Sequence, residues 1–291
     1  MLPRSFEYVS PSTVEEAIEL LGEYGEKAKL LAGGQSLIPL MKLRLASPQV
    51  VIDLNRIPGL SGIRESGNHV TIGSMTRHRD LERSAPLRAH YPLLGDAAAI
   101  LADPLVRNRG TVGGSLAHAD PASDWSTTFL ALGAEVDLRG PKGSRKVPLD
   151  SFFRDSFSTA LAPNELLTEV RLPKPAPHTG SGYAKLKRKT GDFATVAVAA
   201  SLSVENGVAH HVHLGLGGVA ATPVRATHAE KVLEGKKPES AVLAETAQAA
   251  AAEARPTDDL RGSAEYKRAM VAVYTERALT RALERSHGRK S

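Results

Sequence analysis

Three prolines within five residues, Pro173-Lys174-Pro175-Ala176-Pro177, constrain this chain more than any other segment. Neither a helix interior nor a central strand accommodates them, because each proline fixes φ and removes a backbone donor. The run reads as a linker that cuts the 291-residue chain into a longer N-terminal and a shorter C-terminal part. Such a length suggests about two domains at roughly 150 residues each and is ample for a buried core.

The N-terminal part opens on a helix signature: Ser12 with Glu15 three residues on as a capping box, Val14, Ile18 and Leu21 at helical spacing, and Gly22 as the residue after the helix. A strand over 29–32, a Gly33-Gly34 turn, a helix over 36–45 and a strand over 50–54 then make a small βαβ-like unit. From 62 to 73 apolar and polar residues alternate, and strand-like runs follow at 134–138 and 167–172, which predicts a separate, largely antiparallel sheet, with a helix over 93–101 between. Past the linker, strands are expected at 182–187, 195–204 and 208–216, with Glu205-Asn206-Gly207 carrying a hairpin signal. The pattern then turns helical: Pro223 suits the first position of a helix running to Leu233, an alanine-rich helix spans 241–254, and Tyr266, Met270 and Val273 mark the apolar stripe of a last helix. Strands followed by helices make this part α+β.

With 42% hydrophobic and 24% charged residues the composition is globular, and no apolar run approaches the roughly 18 to 20 residues of a membrane span. The start, Met1-Leu2-Pro3-Arg4-Ser5-Phe6-Glu7, has no apolar stretch after a basic residue, so a cytoplasmic protein is expected. Zero cysteines excludes disulfides, cysteine nucleophiles, thiolate zinc sites and iron–sulfur ligation in this chain. The net charge of +5 is concentrated: residues 255–291 carry nine Lys/Arg against five Asp/Glu, and Lys185-Leu186-Lys187-Arg188-Lys189 forms a second basic run. With only 4% aromatics there is little stacking surface for a nucleic acid, and none is expected as a partner.

One short element recurs: Ala32-Gly33-Gly34-Gln35-Ser36 and Thr111-Val112-Gly113-Gly114-Ser115. A Gly-Gly turn lets backbone N–H groups approach an anion closely, which suits a pyrophosphate; a plain tight turn is the other reading. Asp53 follows Gly33 at the distance of a ribose-binding acid, but G-x-G-x-x-G is absent, which argues against a nicotinamide-binding fold. The segment 103–124 is too long for a turn and too polar for core; in it Asp120 and Asp124 suit either sugar hydroxyls or the cap of a following helix, and His118 suits positioning the loop. His211 and His213 share a face of a predicted strand, with no third metal ligand beside them.

Three runs, AGGQSLIPLMKLRL from Ala32 with VIDLN from Val51, VRNRGTVGGSLAHADPASD from Val106, and KLKRKTGDFA from Lys185, resemble the FAD-binding medium subunit of molybdenum hydroxylases, the xanthine dehydrogenase and carbon monoxide dehydrogenase family. The resemblance spans nearly the whole chain. It implies an α+β fold: a two-subdomain FAD-binding domain of the vanillyl-alcohol oxidase type over 1–175, with subdomains at about 1–58 and 59–175, and a C-terminal domain over 178–287 with a three-stranded antiparallel sheet and three helices. It places Leu31, Ala32, Gly33, Gly34, Gln35 and Ser36, with Thr111, Val112, Gly113, Gly114 and Ser115, around FAD and its pyrophosphate. Asp124 matches a contact to the sugar or ribitol hydroxyls, Ala102 and Leu167 match positions lining the flavin, Lys185 or Lys187 a lysine near the cofactor, and Phe193 a residue over the isoalloxazine ring. Gln35 stands where the carbon monoxide dehydrogenases carry His, a departure that bears on substrate rather than on FAD. The implied reaction is electron transfer. A large molybdopterin subunit oxidises substrate, a small subunit relays electrons through two [2Fe–2S] clusters, and the FAD subunit passes them to NAD, a quinone or another acceptor, within a dimer of heterotrimers. No acid–base residue of this chain is then required, since the flavin performs the redox step. A stand-alone FAD-dependent oxidase and a cofactor-free scaffold subunit are the other readings.

Overall fold

A computed structural model describes residues 2–288, so Met1 and the last three residues of the basic C-terminal stretch lie outside the described residues. The first 56 residues build a three-stranded parallel sheet in the order β1-β3-β2, from β1 (Glu7–Val9), β2 (Ala28–Leu31) and β3 (Val50–Asp53). Helix α1 (Val14–Tyr24) connects β1 to β2, and α2 (Leu37–Lys42) connects β2 to β3. The capping box sits one residue later than expected: Thr13 accepts from the Glu16 N–H at 3.1 Å, and Glu16 accepts from the Ser12 N–H at 2.7 Å. Gly22 lies inside α1, and Gly25 at φ 53° ends it. Strand β1 has no sequence signal, being three mostly exposed residues held by its register with β3.

The second region carries the antiparallel sheet β4-β5-β10-β6-β7, from β4 (Ile63–Ser66), β5 (His69–Gly73), β6 (Glu135–Gly140), β7 (Gly143–Pro148) and β10 (Leu166–Pro173). Six helices run between β5 and β6: α3 (His78–Arg83), α4 (Ala85–His90), α5 (Pro92–Ile100), α6 (Pro104–Arg109), α7 (Val112–His118) and α8 (Asp124–Ala131). A hairpin of β8 (Phe153–Asp155) and β9 (Ser158–Thr159) precedes β10. The polar segment at 103–124 is thus not one long loop. Asp103 caps α6 by accepting from the Val106 N–H at 2.9 Å, and Thr111 caps α7.

The C-terminal region has three long antiparallel strands, β11 (Thr179–Leu186), β12 (Val196–Glu205) and β13 (Val208–Gly217), and a two-residue fourth, β14 (Val224–Arg225). Asn206 and Gly207, at φ 51° and 78°, turn the β12–β13 hairpin. Pro223 does not open a helix; it precedes β14, and α9 (Thr227–Leu233) starts later, followed by α10 (Ser240–Glu253) and α11 (Ala264–Ser286). Of the stripe predicted on α11, only Met270 packs against the core; Tyr266 and Val273 are exposed, while Val271, Ala278, Leu279 and Ala282 are buried. The reason is close approach to β11, where a Cβ on Gly180 would sit 1.9 Å from the Ala282 carbonyl oxygen, so small residues form the packed face. A register shift in β12–β13 and a positive φ at His211 break the expected alternation, leaving His211 exposed and His213 half-buried.

Each region buries its own cluster, around Ile18, Val50 and Ile52, around Trp125, Phe129 and Ile72, and around Val198, Leu214 and Leu279. Strand β12 joins the last two by alternation, sending Ala197 and Ala199 toward Trp125's cluster and Val196, Val198 and Ala200 the other way. Among the described residues no helix is long and apolar enough to cross a membrane.

Candidate functional site: two glycine loops in contact

The first loop leaves β2 at half-buried Leu31 and enters α2 at Ser36. A Cβ on Gly33 would lie 2.3 Å from the Arg109 carbonyl oxygen and 2.7 Å from the Gly110 Cα, so only glycine lets this loop touch the root of the second one. Gly34 has φ 74°, which favours glycine on conformational grounds. Asn55 donates through Nδ2 to the Ala32 carbonyl at 2.9 Å and accepts through Oδ1 from Arg77 at 2.5 Å, while Arg77 also donates to the Arg109 carbonyl. A Cβ on Gly114 would meet the Thr111 hydroxyl at 2.7 Å and the Ala32 Cβ at 3.4 Å. The two recurring elements are therefore adjoining walls of one place.

Their backbone donors differ. In the second loop Val112 donates to the Thr76 carbonyl at 3.0 Å, Gly113 to the Ser74 carbonyl at 2.8 Å, Ser115 to the Thr111 carbonyl at 3.0 Å and Gly114 to the Thr111 hydroxyl at 3.2 Å. In the first loop, none of the hydrogen bonds among the described residues uses the N–H groups of Gly33, Gly34, Gln35 or Ser36. The first loop therefore presents uncommitted backbone donors, while the backbone donors of the second are bonded within the fold. Four successive donors at two buried glycines fit a pyrophosphate. Gln35 is exposed and donates to the Gly33 carbonyl at 3.3 Å, and the Ser115 hydroxyl is bonded to that of Ser123 at 3.1 Å.

Farther along, Gly191 at φ 78° packs against Ala102, whose carbonyl oxygen lies 3.5 Å from the point a Cβ on Gly191 would occupy, and this brings the segment carrying Lys187 and Phe193 over half-buried Ala102. Phe193 is 50% exposed. Leu167 is buried in the core beneath, at 6% exposure. Asp124 does not cap α8, because Ser123 does so by accepting from the Ser126 N–H. Its carboxylate accepts instead from the Tyr183 hydroxyl at 2.5 Å and the Lys185 ammonium at 3.0 Å. Burial pushes the Asp124 carboxyl up against the opposing pull of Lys185, and burial also raises Tyr183 well above its usual value. Lys185 is thus a buried partner of Asp124, while Lys187 makes no ion pair among the described residues.

Of the other residues singled out by sequence, Asp53 adjoins the first loop through Asn55 and the β2–β3 register, while Asp120 and His118 make contacts of their own. Partial burial pushes the Asp53 carboxyl up, but bonds from Tyr8 at 2.5 Å and from Asn55 outweigh it and hold Asp53 below the usual range. Asp120 accepts from the Ala122 N–H at 2.9 Å, and the His118 ring sits 5.1 Å from that of Phe157. Among the described residues no group of three metal-ligating side chains assembles. Sequence reasoning missed Arg77, His78 and Tyr183, whose partners are remote in sequence and leave no local pattern; Asn55 stands in the VIDLN run but carries no role there.

Residues 4–175 match the FAD binding domain in molybdopterin dehydrogenase, and residues 181–282 match the CO dehydrogenase flavoprotein C-terminal domain. The fold is that of a flavoprotein with this pair of domains. The chain belongs to the family of FAD-binding medium subunits of molybdenum hydroxylases, and is an oxidoreductase subunit. It is 46% identical over 285 residues to the carbon monoxide dehydrogenase medium chain of Hydrogenophaga pseudoflava, covering 98% of this chain and 99% of that one. It is 38% identical to the nicotine 6-hydroxylase medium subunit of Paenarthrobacter nicotinovorans, covering 94% and 96%. A solved structure of the Hydrogenophaga pseudoflava carbon monoxide dehydrogenase lacking the Mo-pyranopterin moiety superposes with a TM-score of 0.96 at 48% identity over 98% and 99% of the two chains. Quinoline 2-oxidoreductase from Pseudomonas putida 86 does so at 0.92 and 31%, over 99% of each.

Proposed function

We propose that this chain is the FAD-carrying subunit of a cytoplasmic molybdenum hydroxylase, receiving electrons from the two [2Fe–2S] clusters of a small partner and delivering them to NAD, a quinone or another acceptor. A large molybdopterin subunit completes the heterotrimer, and two heterotrimers pair. The observation that carries this reading is the run of uncommitted N–H groups from Gly33 to Ser36, backed by the Arg109–Ser115 wall. FAD supplies the exchange between two-electron and one-electron chemistry when bound. The chain's own residues bind and orient: 33–36 donate to the pyrophosphate, Gly114 keeps the wall thin, and the Gly191–Phe193 segment with Ala102 bounds the ring end. Asp124, held by Tyr183 and Lys185, would bound the hydroxylated chain of the cofactor. We assign the division at 1–175 and 178–287, with subdomains at about 1–58 and 59–175. The absence of cysteine supports the placing of iron–sulfur clusters in another chain.

The test is the visible spectrum of the chain purified alone and with its co-purifying partners, followed by heat release of the flavin. FAD in the extract, with iron–sulfur absorbance only in the complex, is the expected result. Protein that is colourless in both preparations and stays so after incubation with FAD overturns the reading.

A further inference from the structure

A pyrophosphate brings two negative charges, and the uncommitted N–H groups at 33–36 bring none of the opposite sign. Four arginines surround the loops. Arg77 is spent on the Arg109 carbonyl and Asn55, Arg107 on Glu82 and the Leu101 carbonyl, and Arg79 bonds Asn108 at 3.2 Å while its Nε stays unbonded 4.0 Å from Asp80. Lys185 is buried on Asp124. Arg109 differs from all of these: it is exposed, and among the described residues its guanidinium makes no hydrogen bond and no ion pair. Its backbone is pressed onto Gly33, with the Arg109 carbonyl oxygen 2.3 Å from where a Gly33 Cβ would be. Its charge is felt at Asp53, which adjoins Leu31 in the β2–β3 register just before the loop, and at Arg77. An uncommitted guanidinium, on the residue whose backbone touches Gly33, and a row of uncommitted N–H groups at Gly33–Ser36 are two features that one anion satisfies together.

We propose that Arg109 supplies the positive charge for the pyrophosphate at the Gly33–Ser36 loop and thereby discriminates dinucleotide from uncharged flavin. This rests on the FAD reading above. The carbonyl that Arg77 grips belongs to the Arg109 backbone, so replacing the side chain leaves the loop's support in place.

The assembled complex is stripped of flavin and titrated with FAD, with ADP as competitor and with riboflavin, which has no phosphate. Arg109→Gln is expected to weaken FAD and ADP together by about 10- to 100-fold, the range for a charge-assisted hydrogen bond. Riboflavin is expected to bind both proteins alike, and Arg109→Lys to recover part of the loss. The difference between wild type and Arg109→Gln should shrink as salt is raised toward about 1 M, where screening is strong. FAD binding unchanged in Arg109→Gln overturns the proposal, as does a loss shared equally by riboflavin. Failure of the wild-type complex to take up FAD at all would instead overturn the functional reading. A thermal melt of each variant confirms that any loss is not unfolding.

Discussion

A neutral imidazole holds the root of the second glycine loop. His78 is buried, its Nδ1 accepts from the Trp125 indole at 2.9 Å, and its backbone N–H donates to the Gly110 carbonyl at 3.0 Å. Burial, with Arg77 and Arg107 adding to it, pushes its pKa down to about 3. The unfolded chain takes that proton near pH 6.5, so between these values the unfolded state binds more protons and stability rises with pH. The contribution is complete above about pH 6.5 and is lost as pH falls toward 3. At about 1.4 kcal/mol per unit the full effect is on the order of 5 kcal/mol. His78→Asn keeps an acceptor near the Nδ1 position but cannot titrate. Its Tm at pH 7 should fall below wild type, and its Tm should drop less steeply between pH 7 and about pH 4.5; a parallel slope would contradict this account. Two glycines allow a sharper test of the cradle. Gly34→Val forces a branched side chain into φ 74°, and Gly114→Val drives a Cβ into the Thr111 hydroxyl. Either should weaken FAD at least about 10-fold, the loss of one or two donor contacts, in protein whose circular dichroism is unchanged. Full FAD content in a folded double variant counts against the cradle. The glycine loops were legible because their signal is local. The His78–Trp125 and Asp124–Tyr183 bonds were not, since they join residues 47 and 59 apart.

Elements show where local rules stop short. Gly22 looks like the residue past the end of a helix, a place where alanine would be strained; instead it lies inside α1 with nothing within 4 Å of a Cβ. The two placements give opposite signs. Gly22→Ala is expected to stabilise by about 0.5–1 kcal/mol, read as a higher urea midpoint with an unchanged m-value. A lower midpoint would restore the sequence-based helix end. Gly180 is the converse, since its Cβ would overlap the Ala282 carbonyl and the Ser286 N–H on α11. Gly180→Val should cost about 3 kcal/mol or more, as overpacking against rigid backbone does. Strands β11, β12 and β13 were recognised because each is long and β-branched or alternating. The buried face of α11 was not, because Ala278 and Ala282 pack by smallness while Tyr266 and Val273 carry more hydrophobicity on the solvent side.

At the scale of the molecule, the two long parts are locked by a clamp that no composition or periodicity announces. Arg285, near the end of α11, donates to Asp96 of α5 at 2.7 and 3.0 Å and to the Ser181 carbonyl at 2.8 Å. Arg281 donates to the Tyr183 carbonyl at 2.9 Å and lies 3.7 Å from Asp96. Both Asp96 and Arg285 are more than four-fifths buried, so the pair is desolvated enough for its loss to matter. Strand β12 reinforces the clamp by feeding Ala197 and Ala199 into the core of the preceding region. Folding of the two parts should therefore be coupled. The single tryptophan, Trp125, reports on the earlier region, whereas far-ultraviolet circular dichroism reports on both. In wild type the two urea transitions should coincide. In Asp96→Ala, which leaves two guanidinium groups facing an apolar methyl, the dichroism transition should move to lower urea by about 2 kcal/mol and separate from the fluorescence transition. Coincident transitions with an unshifted midpoint would mean that β12 and the bonds of Tyr183 and Lys185 to Asp124 couple the halves without help from the Asp96 clamp.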